Sequence, residues 1–91
     1  MDARITSGDG DHAVKTYTRD SSGSITVRGI KSEGSRVSIT LEAPGADSYL
    51  GDTTGRTEWS KQITPAGPGR YTLVVDAGPH QKELRQQIEV L

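Results

Sequence analysis

The chain has 91 residues, with 11 basic and 12 acidic side chains and a formal net charge of −1, which is room for one small domain and too little for two. The scattered, balanced charge excludes a phosphate-backbone footprint or an anionic-membrane patch, and no apolar run approaches the roughly 18 residues that span a bilayer. With no cysteine there is neither a disulfide framework nor a thiolate metal site, and with no asparagine there is no acceptor for N-linked glycan.

Hydrophobic residues make up 31% of the chain and Phe is absent, so the core is thin and carried by Val, Ile and Leu. Low apolar content alone suggests disorder, but its usual companion, high net charge, is missing, and a folded domain with frayed ends is expected. The opening Met1-Asp2-Ala3-Arg4 lacks the apolar core of a secretory signal. Ala3 to Ser7 and Ala13 to Arg19, rich in Thr, Val and Ile, are the first two candidate strands. Between them lies Asp9-Gly10-Asp11-His12. Carboxylates two apart with glycine between can turn toward one hard cation, so Asp9 and Asp11 are a weak calcium candidate. The competing reading is a solvated Gly-Asp turn, and no cofactor is otherwise expected.

After the turn cluster Asp20-Ser21-Ser22-Gly23, weak alternation in Ile25, Val27 and Gly29 marks a third strand. Val37, Ile39 and Leu41 alternate with polar neighbours, as a half-buried strand requires, and form the clearest strand of the chain. Tyr49 and Leu50 open a short strand, followed by Gly51 to Thr57, the longest segment expected to be irregular. Trp59, Lys61 and Ile63 alternate next, with Trp59 expected as a core anchor rather than an exposed platform. Past Pro65 to Gly69, Tyr71, Leu73 and Val75 form a strand in which apolar Val74 on the polar face predicts cover on both sides and a central position. Tyr71 is expected inside with Leu73 and Val75. Arg70 points the other way and is available for contact.

The last residues are ambiguous. Leu84, Ile88 and Leu91 fit a helical stripe and Lys82 to Gln87 favour helix by propensity, whereas Leu84, Gln86, Ile88 and Val90 fit alternation. The preceding strand needs a neighbour at its edge, so a strand is expected.

Chemistry-bearing constellations are sparse. His12 and His80 both sit in or beside Gly/Pro turns, no serine stands in a Gly-x-Ser-x-Gly elbow, and no Gly-rich phosphate loop opens a helix. The expectation is that the chain is not an enzyme.

The succession Ser24-Ile25-Thr26-Val27, Glu33 to Leu41, Gly45-Ala46-Asp47-Ser48-Tyr49-Leu50 and Pro65 to Val75 resembles the bacterial pre-peptidase C-terminal domain. The Gly-Ala-Asp-Ser-Tyr-Leu segment and the Gly-x-Tyr strand entry also resemble the periplasmic inhibitors of g-type lysozyme. The resemblance covers Ser24 to Val75 and implies an extracellular jelly-roll sandwich that binds matrix, carbohydrate, a lysozyme-type enzyme or a neighbouring domain, sometimes with calcium.

The expected fold is therefore an all-β sandwich, jelly-roll or immunoglobulin-like, of about eight short antiparallel strands over residues 1–91 as one domain. The expected role is a non-catalytic secreted or periplasmic binding domain, such as a lysozyme inhibitor that plugs a cleft with a loop. The alternative is an immunoglobulin-like structural or adhesive module of a larger surface, protease or phage-tail protein. The expected partner is a protein or a polysaccharide. Contact residues are expected on two loops at one end, with Asp47, Ser48, Tyr49, Thr53, Thr54 and Arg56 on the first and Pro68, Gly69 and Arg70 on the second.

Overall fold

The computed structural model describes residues 3–10, 13–33, 36–43, 46–53, 55–78 and 82–91, with the backbone alone along 46–49. Its elements are all strands: β1 (Arg4–Ile5), β2 (Val14–Tyr17), β3 (Ile25–Ile30), β4 (Val37–Ala43), β5 (Ala46–Thr53), β6 (Glu58–Ile63), β7 (Gly69–Asp76) and β8 (Leu84–Val90). They form two sheets, one in the order β1-β3-β6 and the other β2-β8-β7-β4-β5.

Period-two alternation places the core. Val37, Ile39 and Leu41 of β4, Leu73 and Val75 of β7 and Ile88 and Val90 of β8 project from the large sheet toward Ile25 and Val27 of β3 and Trp59 and Ile63 of β6. The strand reading of the last segment holds. Gln86, Ile88 and Val90 are buried on alternate positions, so one face of the segment is inside as a strand demands, and helical propensity loses to that packing. Tyr71 is only half-buried, and its hydroxyl donates to the Gly67 carbonyl at 2.8 Å.

β7 is the central strand of the large sheet, with Val74 6% exposed although it faces away from the core. Val74 is the register partner of both Thr40 on β4 and Arg85 on β8. Arg85 reaches across β7 to Glu42, its Nη2 2.6 and 2.7 Å from the two carboxylate oxygens, and so spans the strand beside Val74. Glu42, with Glu83 behind it, holds the guanidinium more firmly protonated than usual.

Two expectations are corrected here. The strands are not all antiparallel, because β2 runs parallel to β8 with Val14 to Tyr17 against Gln87 to Val90. After β1 the chain turns through Gly8 and Gly10, both at positive φ, and an antiparallel bridge from Asp9 to Thr16 sets it down on the other sheet. Nor is 51–53 irregular. β5 runs to Thr53, with a bulge opposite Ile39 and Thr40 where Gly51 takes a φ of 104° that other residues rarely adopt.

Register also fixes which loops share an end. Ala3, the 31–36 connection and the 54–57 connection lie at one pole, since Arg4 pairs Ile30, Val37 pairs Thr53 and the Lys31 amide donates to Thr57. The 18–24 and 64–68 connections and Leu91 lie at the other, where Arg19 donates to the Leu91 carbonyl and the hydroxyls of Ser24 and Thr64 meet at 2.9 Å. The chain thus enters β1 at one pole and leaves β8 at the other.

Candidate functional site

The strand register divides the residues expected to bind between the two poles. Asp47, Ser48 and Tyr49 lie on β5 as backbone partners of Glu42, Leu41 and Thr40 on β4. Thr53 ends β5 and Arg56 follows at the first pole, while Thr54 lies outside the described residues. Pro68, Gly69 and Arg70 stand at the start of β7, at the same pole as Asp47 but a strand's length from Thr53 and Arg56, on the order of 20 Å. Of the residues expected at one end, Asp47 to Tyr49 and Pro68 to Arg70 share a pole, and the length of β5 carries Thr53 and Arg56 to the other. Two of the arginines are also engaged: Arg56 Nη2 is 3.2 Å from Glu33, and Arg70 Nε is 3.6 Å from Glu89. Both pairs are exposed and weak in energetic terms, yet each gives its guanidinium a local partner.

Asp9 is exposed and bonded through its backbone to Thr16, and Asp11, His12 and His80 lie outside the described residues. Among the described residues no group of three or more His, Asp or Glu side chains is placed to hold a metal ion.

Among the described residues, a concavity lies on the outer face of the small sheet. Thr6, Arg28, Gly29, Ile30, Glu58, Trp59 and Ser60, with Thr53 from the neighbouring β5, line a groove of about 640 Å³. Its central side chain is Arg28, on the middle strand of three, and alternation along β3 turns Thr26, Arg28 and Ile30 outward while Ile25 and Val27 go inside. The backbone of Arg28 is pinned from β1, where the Thr6 amide donates to the Arg28 carbonyl and the Arg28 amide donates to Ser7 Oγ, both at 2.9 Å. Ser7 is itself held by Tyr17, whose buried hydroxyl donates to the Ser7 carbonyl at 3.1 Å. Burial pushes the Tyr17 phenol up, partly offset by the Ser7 hydroxyl.

Across β3 and β6, Arg28 stands directly opposite Ser60 and Ile30 opposite Glu58. Thr6, Arg28 and Ser60 therefore form a row of hydrogen-bonding side chains across the sheet, with Glu58 diagonal to Arg28 at the first-pole end. Neither charge of the groove has an ion-pair partner within 4 Å among the described residues. The outer face of the large sheet contrasts with this. There Arg85 is tied to Glu42 and Glu83, Arg70 to Glu89, Arg36 to Asp52, and Gln87 to Thr72. These charges of the large sheet, among the described residues, have partners on their own face.

No motif in the sequence marks the groove. Thr6, Arg28 and Ser60 are far apart along the chain, and only the alternation that sends Arg28 outward was available to find it. Compared with known proteins, the chain matches no family model, no curated protein and no solved structure.

Proposed function

We propose that the chain is a non-catalytic module of immunoglobulin-like type, structural or adhesive in role within a larger surface assembly. What carries this reading is the path of the chain, which enters at one pole and leaves at the other. A domain threaded in this way spaces its neighbours in line and transmits tension along its own strands. β2 and β8 lie side by side and parallel, so tension applied at residues 3 and 91 loads their pairing in shear, with four register pairs resisting together. A hairpin pulled from one end would instead open one pair at a time.

The strand arrangement supports the immunoglobulin-like assignment. The first stretch of chain is shared between the sheets, with β1 joining the sheet of β3 and β6 and β2 joining the sheet of β8, β7, β4 and β5. Tyr71, near the start of β7, bonds through its hydroxyl to the carbonyl four residues upstream, as the tyrosine corner of such sandwiches does. A cleft-plugging inhibitor acting through all the expected residues gains no support from a register that puts Thr53 and Arg56 at one pole and Arg70 at the other.

Pulling the domain through its two ends, in series with marker domains, tests the reading. It should resist distinctly more force than the same domain pulled between Leu91 and Ala66, two positions at one pole. Equal resistance in the two geometries would remove the argument for a load-bearing module.

A further inference from the structure

We propose that the groove on the outer face of the small sheet binds a carboxylated sugar unit of an acidic polysaccharide, with Arg28 receiving the carboxylate. The inference rests on the reading of the chain as a non-catalytic module and names what its adhesive face takes. The first observation is an accounting of the guanidinium groups. Arg36, Arg56, Arg70 and Arg85 each have a carboxylate partner, and Arg19 donates through Nε to the Leu91 carbonyl at 3.1 Å. Arg4 and Arg28 remain without one among the described residues, and both are exposed. Arg4 pairs in register with Ile30, two residues from Arg28 on β3, so both arginines project from the outer face of the same sheet.

The second observation is what surrounds Arg28. A guanidinium recognises a carboxylate through two parallel N–H bonds, and its value rises when its backbone is fixed, as the bonds to Thr6 and Ser7 ensure. The flanking groups are hydroxyls from Thr6, Ser60 and Thr53, and one carboxylate, Glu58. A ring that offers a carboxylate and several hydroxyls meets each of them with a complementary atom. The groove's volume of about 640 Å³ is of the size that holds a small ligand.

Other occupants fit less well. Peptide recognition by strand addition needs a free strand edge and recognition by an anchor side chain needs an apolar pocket, which leaves an acidic peptide read by the arginines as the competing peptide ligand. Arg28 lies on the middle strand, with β1 on one side and β6 on the other, and Trp59 beneath the groove is 3% exposed, so its indole offers neither a pocket nor a stacking platform. A nucleic-acid backbone would call for a longer array of cations than two arginines on a chain of net charge −1. With no ring to stack on, the affinity is weak and charge-dependent, near about millimolar and falling with salt.

The test is an amide NMR titration of the whole chain at low ionic strength with three probes: tri-galacturonate, the neutral galactose trimer and tetra-glutamate. Saturable shifts with tri-galacturonate should centre on Thr6, Arg28, Ile30, Glu58 and Ser60, be absent with the neutral trimer, and weaken by about tenfold in Arg28→Gln. The Arg28→Gln spectrum away from the groove reports whether the fold is intact, and Arg70→Gln, at the far pole, should bind as the parent does. No saturable shift, or a shift map elsewhere, overturns the site. An equal or tighter response to tetra-glutamate overturns the sugar assignment in favour of an acidic peptide. Each of these results leaves the pulling experiment untouched, so failure of the ligand and failure of the module are separately visible.

Discussion

Trp59 and Gly29 stand directly opposite one another across β6 and β3, and the indole of one fills the space that a side chain on the other would occupy. A Cβ at position 29 would run into Cε2 and Cζ2 of Trp59 and into the carbonyl oxygen of Arg4. The indole Nε1–H completes the arrangement by donating to the Ile30 carbonyl at 3.1 Å. Gly29→Ala must therefore displace either the largest aromatic of the core or strand β1, because one of the obstacles is backbone. The expected loss of stability is at the upper end of about 1–3 kcal/mol. Gly67→Ala, where an added Cβ meets nothing within 4 Å, is the matched control and should stay within about 0.5 kcal/mol of the parent. Urea unfolding midpoints of the two variants decide it, and equal midpoints would show that the pairing of Trp59 with Gly29 does not constrain the core.

Lys31 carries a second prediction. It is 1% exposed, and its Nζ donates to the carbonyls of Ser32 at 3.1 Å and Arg56 at 3.3 Å, joining the connection after β3 to the one before β6. Lys31→Met keeps an unbranched stem of similar length and removes the donor. Two effects then oppose each other: burying a polar head is costly, so its removal gains something, while two carbonyls lose their bond. The second effect dominates because both carbonyls belong to connections that the Lys31 head links. Lys31→Met should lose about 1–2 kcal/mol and Lys31→Ala, which also leaves a cavity, about 1–3 kcal/mol more. A Met variant as stable as the parent in chemical denaturation would show that the stem alone matters.

These two residues also show where the sequence was legible. The alternation of Val37, Ile39 and Leu41, and of Leu73 and Val75, is a direct image of one buried sheet face, and each of these side chains is at most 5% exposed. Val74 announced cover on the other face, though its neighbour Arg85 owes its place to Glu42, two strands away, which no local pattern shows. Trp59 was readable as core, whereas the requirement for Gly29 depends on register between two strands. Lys31 was hidden because a lysine after a strand reads as solvated, and its burial follows from where the 54–57 connection lies. The parallel pairing of β2 with β8 and the extension of β5 through Gly-Asp-Thr escaped for the same reason. Both are made by partners distant in sequence, and the Gly, Asp and Ser residues of β5 have poor strand propensity of their own. The groove around Arg28 is assembled from the small sheet and Thr53 of β5, so it exists only once the two sheets have packed.

The turn from Asp20 to Ser24 gives the protein a defined response to acid. One oxygen of Asp20, Oδ1, accepts the Ser22 hydroxyl at 2.6 Å, the Ser24 amide at 3.0 Å and the Ser22 amide at 2.9 Å. These bonds, led by the Ser22 hydroxyl, hold the Asp20 carboxyl below its ordinary value. A carboxyl whose folded pKa is depressed binds its proton more readily in the unfolded chain, so its contribution is fully present above the ordinary Asp pKa of about 3.9 and is lost as pH falls through the lower folded value. The turn ties β2 to β3 and, through Ser24 and Thr64, to the connection before β7. Asp20→Asn retains an acceptor without the charge, so it loses the charge-assisted part of these bonds at pH 7 and should flatten this part of the acid limb. Stability measured by denaturant unfolding from about pH 7 down to pH 2 should therefore converge for parent and Asp20→Asn at the acid end. Curves that stay parallel throughout would mean that the carboxylate of Asp20 is not what holds the turn.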